Sequence, residues 1–215
     1  MRRIDLSYPL SPNTPKFPDA SPVALDAIER AEDPPSKGRR SLNVTQFSMM
    51  VHTGTHMDAP FHFFSSGRTI DRVPLDQCIG PAVLIDLGDV PDGYELDLGS
   101  IPGLEAKLHR IPKVILNTGW ASRWGTTEYF TDHPCLSARS AELLADSGVH
   151  LVGVDMPSVD RPPFPAHLTL LGSGLVIVEN LTNLGEIGVD EFELTVLPLG
   201  LAGRDGSPVR AIASV

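Results

Sequence analysis

Short runs of apolar and β-branched residues recur along the chain, separated by polar turns rich in glycine and proline. Runs of this length and composition are typical of β-strands. They predict strands at residues 42–50, 81–86, 114–117, 150–155, 175–179, 193–199 and 209–213. Several runs are bounded directly by glycine or proline, which favours many short elements joined by defined turns over a helical bundle.

Helical patterns are fewer. Residues 137–147 begin with a serine suited to capping, carry leucines in the interior and stop before Gly148, so they predict a helix. Shorter patterns predict helices at 101–109 and 166–171. Because strands outnumber helices and do not alternate cleanly with them, the fold class expected is mixed α/β or α+β.

The segment 29–40 is charged and rich in turn-forming residues, and it predicts a mobile surface loop. No internal repeat, low-complexity tract or linker divides the chain. Residues 1–215 are therefore expected to form one compact domain, a size that buries a sizeable core without a disulfide or a structural metal.

Net charge and composition argue against several classes of binding partner. Lysine and arginine number 17 against 27 aspartate and glutamate, for a net charge of −10, which is the wrong sign for a nucleic-acid binder. No apolar window approaches the roughly 20 residues that cross a bilayer, and no basic amphipathic stretch suggests a membrane surface. Two cysteines are too few for a secreted disulfide framework. The expectation is a cytoplasmic protein with neither a nucleic-acid nor a membrane partner.

Three of the seven histidines fall within eleven residues, in the pattern His52-x3-His56-x-Asp58-x3-His62. Random placement would put about 0.4 histidines in such a window, so composition alone does not explain the cluster. Gly54, two threonines and a proline argue against a helix here. The pattern predicts a loop in which Gly54 bends the backbone after the strand 42–50.

Such a bend would bring His52, His56 and Asp58 to one point. Imidazoles with a carboxylate are a typical ligand set for zinc, or for manganese when more oxygen ligands join. The alternative without a metal is a surface loop with solvated histidines, or a core histidine paired with Asp58.

Two acidic residues further along the chain stand at the end of a predicted strand or shortly after one. Glu179 ends the apolar run 175–179. A buried carboxylate costs several kcal/mol unless it is paired or binds a metal. Glu179 is therefore either a ligand or the partner of an arginine such as Arg161 or Arg210. Asp160 follows the strand 150–155 and is either functional or a turn former.

The run His52-Thr53-Gly54-Thr55-His56-Met57-Asp58-Ala59-Pro60-Phe61-His62-Phe63 resembles the signature of the cyclase family, whose best-known members are bacterial kynurenine formamidases. Supporting matches near the start, at 153–160, at 178–181 and at 205–211 extend the resemblance over nearly the whole chain. The resemblance implies a compact α/β domain with a barrel-like mixed sheet flanked by helices, and usually a homodimer.

The resemblance also implies roles for individual residues. His52, His56 and Asp58 would bind a metal ion, and Asp58 would bridge to a second ion completed by His167 and Glu179. His62 would be the catalytic acid or base and not a ligand. Some relatives, similar to isatin hydrolase, have glutamine at the position of Glu179 and hold one manganese ion. A glutamate here favours two zinc ions.

The activity implied is hydrolysis of a small-molecule amide, most simply an N-formyl aryl amine such as N-formylkynurenine. Formamidases usually show Trp-Pro-Gly-Asp in an N-terminal segment that shapes the substrate pocket, whereas this chain has Phe17-Pro18-Asp19-Ala20. Phe17 is the expected substrate contact, and the departure leaves the substrate open. The alternatives are an isatin-type cyclic-amide or lactone hydrolase, and a non-catalytic metal- or ligand-binding protein.

Overall fold

The computed structural model describes residues 1–32 and 41–215, so most of the predicted loop 29–40 lies outside the described residues. In the described ranges, every apolar run predicted to be a strand forms one. The strands are β1 (Arg3–Asp5), β2 (Ala24–Glu29), β3 (Val44–Ser48), β4 (His56–Asp58), β5 (Ile79–Asp86), β6 (Glu95–Leu96), β7 (Lys113–Asn117), β8 (Cys135–Leu136), β9 (Leu151–Val154), β10 (Val176–Glu179), β11 (Glu191–Pro198) and β12 (Gly206–Ser214).

Seven of these strands close into a barrel. Their order is β12-β11-β5-β7-β9-β10-β4, and β4 pairs back onto β12. Strands β5, β7, β9 and β10 are mutually parallel, whereas β4, β11 and β12 join the ring by antiparallel pairing. The predicted mixed α/β fold with a barrel-like sheet is confirmed. Strand β1 extends the sheet beyond the ring by pairing with β12.

The helices are short: α1 (Leu75–Cys78), α2 (Leu104–Leu108), α3 (Glu128–Thr131), α4 (Ala138–Asp146) and α5 (Pro165–Gly172). The helices predicted at 101–109, 137–147 and 166–171 are confirmed as α2, α4 and α5. The Ser137 hydroxyl caps α4 by accepting the backbone N–H of Ser140 at 3.0 Å. Nowhere in the described ranges does a helix combine the length and apolarity that crossing a membrane requires.

Side chains that alternate along the barrel strands divide between two apolar clusters. In β7, Val114 and Leu116 belong to a cluster shared with Leu144 of α4 and Leu170 of α5, whereas Ile115 belongs to a second cluster to which every strand of the ring contributes. The barrel is therefore packed on its inside and covered by helices on one side, which gives the strand ends near α5 a rigid support.

The histidine cluster is only partly a loop, and the sequence-based expectation is wrong for His56 and Asp58. They lie on β4, which pairs with β10 on one side and with β12 on the other. Two paired neighbours satisfy the backbone of this short segment, a tertiary effect that local propensity does not contain. The predicted bend at Gly54 is confirmed: its φ is +68°. A Cβ there would also lie 2.7 Å from Leu10 Cδ2.

The predicted strand 42–50 is present as β3, but it is not part of the barrel. Among the described residues it pairs only with β2, in a separate two-stranded antiparallel sheet that sets Leu25 opposite Phe47. Leu25 is 40% exposed, Phe47 55% and Ile28 57%. This sheet therefore carries large apolar side chains that the described residues do not cover.

Candidate metal centre

Strand register brings the first two candidate ligands together. Because β4 and β10 are antiparallel, His56 lies directly opposite Glu179. The Nε2 atom of His56 is 3.4 Å from Glu179 Oε2 and 3.4 Å from Asp58 Oδ1. His56 and Asp58 are two residues apart on one strand, so their side chains leave the same face. All three residues are buried.

Helix α5 brings His167 to the same point. Its Nε2 atom lies 3.5 Å from Glu179 Oε1 and 3.7 Å from Asp58 Oδ2. The Asp160 carboxylate accepts the backbone N–H groups of Ala166 and His167, which have no partner within the first turn of the helix. Asp160 is thus the residue that fixes the start of α5 beside the barrel, a role the sequence left open between function and turn formation.

Donor atoms in this cluster are spaced as they are around a divalent cation. A tetrahedral ion with bonds of about 2.0–2.1 Å sets neighbouring ligand atoms about 3.3 Å apart, close to the 3.4–3.7 Å found here. The alternative of an arginine partner for Glu179 is wrong. Arg210 pairs with Asp5, and Arg161 donates to Cys135 Sγ and to backbone carbonyls.

The imidazoles of His52, His56 and His167 each have one ring nitrogen in contact with an oxygen atom outside the set of candidate ligands. His167 Nδ1 is 2.6 Å from Asp160 Oδ1, His56 Nδ1 is 2.9 Å from the Gly54 carbonyl, and His52 Nε2 is 2.6 Å from Asp205 Oδ2. Metal-binding histidines typically donate their second N–H to such an acceptor, which leaves the other nitrogen unprotonated for the ion. The chemistry of the residues present therefore fits a bound cation.

Two groups of three donors meet at Asp58. One consists of His52, His56 and Asp58, and the other of Asp58, His167 and Glu179; within each, the donor atoms lie within 4.8 Å of one another. Asp58 is shared because each of its oxygens faces a different group. His52 Nδ1 is 2.7 Å from Oδ1, whereas His167 faces Oδ2. The five predicted ligands thus meet at one place, as two groups of donor atoms that share one carboxylate.

The pKa shifts of the clustered side chains show how their charges are balanced when no ion is bound. Burial lowers the pKa of His56, but the Asp58 and Glu179 carboxylates outweigh burial and raise that pKa to about 10. Burial raises the pKa of Asp58, and the charges of His52 and His56 bring it well below its usual range. Protons on the histidines therefore supply the positive charge that balances these carboxylates, a part that a cation can take over.

His62 lies beside the ligands and outside both groups that contain Asp58. It ends the 3₁₀ turn Pro60–His62, and its ring stacks on that of His52 with centroids 4.0 Å apart. Its Nδ1 atom is 3.6 Å from Asp205 Oδ2, and its side chain is 31% exposed. Burial lowers the pKa of His62, so its imidazole is neutral at pH 7 and can accept a proton.

Asp205 is the site residue that sequence reasoning missed. It immediately precedes β12, and its carboxylate contacts His52 and lies near His62. The only signal in the sequence is its place in the segment 205–211, which takes part in the family resemblance. The resemblance assigned that segment no chemistry, because the closeness of Asp205 to the histidines arises only when β12 pairs with β4.

A cleft of about 620 Å³ opens onto the cluster. Its walls are largely apolar and aromatic, and Phe17 is among them, in edge-to-face contact with Phe130 at 5.0 Å between ring centroids. Phe17, the expected substrate contact, therefore lines the cleft that opens onto the cluster. The aromatic wall of this cleft is formed by Phe17, Phe63, Phe130 and Phe164.

Comparison with known proteins identifies the family that the chain matches. Residues 4–161 match the family described as Putative cyclase. A kynurenine formamidase of Bacillus cereus is 35% identical over 213 residues, covering 97% of this chain and 95% of that protein. A kynurenine formamidase of Bacillus anthracis is 34% identical over 215 residues with the same coverage.

Two solved structures support the fold. Isatin hydrolase A from Labrenzia aggregata, bound to benzyl benzoate, is 27% identical with a TM-score of 0.84, covering 99% of this chain and 93% of that one. A protein from Bacillus stearothermophilus described as a predicted metal-dependent hydrolase is 26% identical with a TM-score of 0.77. The match covers 99% of this chain and 97% of that one. The barrel, the histidine-rich cluster and these similarities together establish that the chain belongs to the cyclase family and is a hydrolase.

Proposed function

We propose that this hydrolase cleaves the amide bond of a small aromatic molecule, most simply an N-formyl aryl amine such as N-formylkynurenine, to release formate. The observation that carries the proposal is a buried carboxylate, Asp58, shared by two groups of metal-ligand donors at the floor of an aromatic cleft. The 34–35% identical relatives named kynurenine formamidase support the choice of substrate.

In this proposal His52, His56 and Asp58 hold one zinc ion, and Asp58, His167 and Glu179 hold a second. Manganese is the alternative ion. A carboxylate at position 179 supports two ions, because two divalent charges in a buried site require several anionic ligands. Bound divalent cations polarise a substrate carbonyl and lower the pKa of water toward 7.

His62 is the proton carrier in this proposal. Its neutral imidazole takes a proton from the attacking water and passes it to the departing nitrogen, which matters because an unprotonated amide nitrogen leaves poorly. Its position supports this role, since it lines the cleft beside the ligands without belonging to the two groups that meet at Asp58.

The aromatic wall supports an aryl substrate. Phe17 is 38% exposed and borders the cleft, so its ring is accessible for packing on a substrate ring. Phe63 stacks on His167 with centroids 4.8 Å apart. An aryl group packed on this wall would lie in the same cleft as the ligand residues.

A cyclic amide or lactone is the second candidate substrate. It is supported by the structural similarity to isatin hydrolase, with a TM-score of 0.84 over 99% of this chain. The deciding experiment measures turnover of N-formylkynurenine, formanilide, isatin and an aryl lactone by metal-loaded enzyme. Fastest hydrolysis of the two formamides supports the proposal, and fastest hydrolysis of isatin or the lactone supports the second candidate. A metal-bound protein that turns over none of the four overturns both, and it supports the alternative of a non-catalytic binding protein.

We further propose that the chain forms a homodimer through the β2–β3 sheet. A two-stranded sheet alone is marginally stable in water, and Leu25 and Phe47 lie opposite each other with 40% and 55% of their surface exposed. A second copy would cover these side chains. In analytical ultracentrifugation, we expect a dimer for the wild type and a monomer for Phe47→Lys.

Leu75→Lys is the matched control for the dimer. Leu75 is 65% exposed, at the first position of α1 and away from the β2–β3 sheet. It should leave the dimer intact. Dissociation by both variants, or by neither, would argue against this interface.

A further inference from the structure

The Asp205 carboxylate contacts His52, a proposed metal ligand, and lies near His62, the proposed proton carrier. Asp205 Oδ2 is 2.6 Å from His52 Nε2 and 3.6 Å from His62 Nδ1. The first distance is a short hydrogen bond, and the second lies in the range of an ion pair, beyond that of a hydrogen bond. Because the two imidazole rings also stack at 4.0 Å, Asp205, His52 and His62 form one connected unit.

Backbone contacts hold Asp205 firmly. Its carbonyl accepts the N–H of Ala59 at 2.9 Å, and the next residue, Gly206, pairs with Asp58 across β12 and β4. The carboxylate therefore belongs to the same strand pair that carries the ligands, although its side chain is 36% exposed.

Gly206 makes room for the ring that Asp205 holds. A Cβ at this position would lie 2.7 Å from His52 Cε1 and 2.8 Å from the Met57 carbonyl oxygen. Real Cβ atoms do not approach this closely, so any side chain here would displace His52 or the strand. Asp205 and Gly206 thus fix the position of His52 together. The Asp205 carboxylate binds Nε2, the nitrogen that faces away from Asp58, and Gly206 leaves space for Cε1 of the ring.

We propose that Asp205 is a positioning residue that orients His52 toward the metal and His62 toward the substrate. The part concerning His62 rests on the proposed function; the part concerning His52 rests on the metal site alone. Holding the outer nitrogen of His52 leaves Nδ1, which faces Asp58, for the ion. A negative charge near His62 Nδ1 favours the tautomer protonated there, which leaves Nε2 to exchange protons with substrate.

The first test measures zinc affinity without turnover. Asp205→Asn keeps the size of the side chain and removes its charge. Competition between metal-free protein and a chromogenic chelator should show an affinity about 10- to 100-fold weaker than that of the wild type. Asp71→Asn is the matched control, because Asp71 is an acidic residue whose carboxylate accepts the N–H of Gly203 in the same loop. It should bind zinc as the wild type does.

The second test measures turnover at saturating metal in a double-mutant cycle. Asp205→Asn should lower kcat about tenfold when His62 is present and less than twofold in a His62→Ala background. KM should change little, because Asp205 contacts no part of the aromatic wall. A merely structural role would lower kcat equally in both backgrounds, so the cycle separates positioning of His62 from general loosening.

Thermal unfolding of each variant checks that it is folded, and Asp205→Ser serves as a second variant if the asparagine is unstable. Wild-type zinc affinity in the folded variants, or equal losses of kcat in both backgrounds, overturns the inference. If the wild type hydrolyses none of the substrates tested, the proposed function fails, while the affinity measurement still decides whether Asp205 positions His52.

Discussion

His56 and Glu179 face each other across β4 and β10, with Nε2 of the histidine 3.4 Å from Oε2 of the glutamate. Their pairing is set by the register of two antiparallel strands that are distant in sequence. A slip of one residue would turn either side chain to the other face of the sheet. The barrel therefore determines the relative position of the two proposed metal sites.

Glu179→Gln should lower the metal content from two ions per chain to one. The glutamine keeps the shape of the side chain but removes the negative charge that a second ion requires. Elemental analysis of the purified protein provides the count. Glu193→Gln, which changes a carboxylate on barrel strand β11, is the control and should keep two ions. Two ions in the Glu179 variant would remove this residue from the ligand set.

His56→Ala and Asp58→Ala should lose metal more severely. Both side chains are buried, Asp58 belongs to both donor groups, and His56 Nε2 lies 3.4 Å from carboxylates of both, so removing either side chain leaves charges of both groups without a partner. We expect less than one ion per chain by the same elemental analysis. Full occupancy in either variant would contradict its assignment as a ligand.

His62→Ala should retain its metal and lose turnover by about 10²-fold or more, the usual contribution of a general acid or base. Since burial holds the pKa of His62 below its ordinary value of 6.5, the wild-type rate should fall as the pH is lowered through that pKa. The variant should lack this acidic limb. Near-normal turnover in His62→Ala would exclude His62 from the mechanism.

Zinc binding at pH 7 should release protons. The neighbouring carboxylates raise the pKa of His56 to about 10 in the metal-free protein, so its ring is protonated at pH 7 and must lose that proton to bind an ion. The same raised pKa stabilises the metal-free fold fully below pH 6.5, and this contribution is lost as the pH rises through about 10. Calorimetry in two buffers of different ionisation enthalpy measures the protons, and an observed enthalpy independent of buffer would rule out their release.

Phe17→Ala should raise KM for aryl formamides several-fold and leave kcat nearly unchanged, because a ring packed on substrate in both the bound and the transition state contributes uniform binding. Steady-state kinetics with formanilide and with a small aliphatic formamide tests this. The aliphatic compound is the control and should respond little. An equal rise for both compounds would indicate a general effect on the cleft.

Gly153→Ala should destabilise the barrel by about 1–3 kcal/mol, the usual cost of overpacking a core. A Cβ at this position in β9 would lie 2.5 Å from Ile115 Cδ1 and 2.8 Å from Leu181 Cδ1. Gly185→Ala is the control, since nothing lies within 4 Å of its added Cβ. Denaturant unfolding of both variants measures the difference, and equal stability would show that the interior has room at Gly153.

Local pattern was enough to predict most of the strands and helices, because each apolar run, cap and turn residue acts within a few residues of itself. It was also enough to predict that His52, His56 and Asp58 lie together, since they are close in the chain. The strand at His56–Asp58 was missed because its stability comes from β10 and β12, whose positions no local pattern contains.

Only the tertiary structure brings His167, Glu179 and Asp205 to that trio. His167 arrives on α5, whose first turn is held by Asp160, and Glu179 arrives through the register of β10. Asp205 arrives through pairing of β12 with β4. The amino-acid sequence determines which side chains can serve as ligands. Their convergence depends on closing a barrel, because the favourable energy of burying its core is shared by all strands and belongs to no single segment.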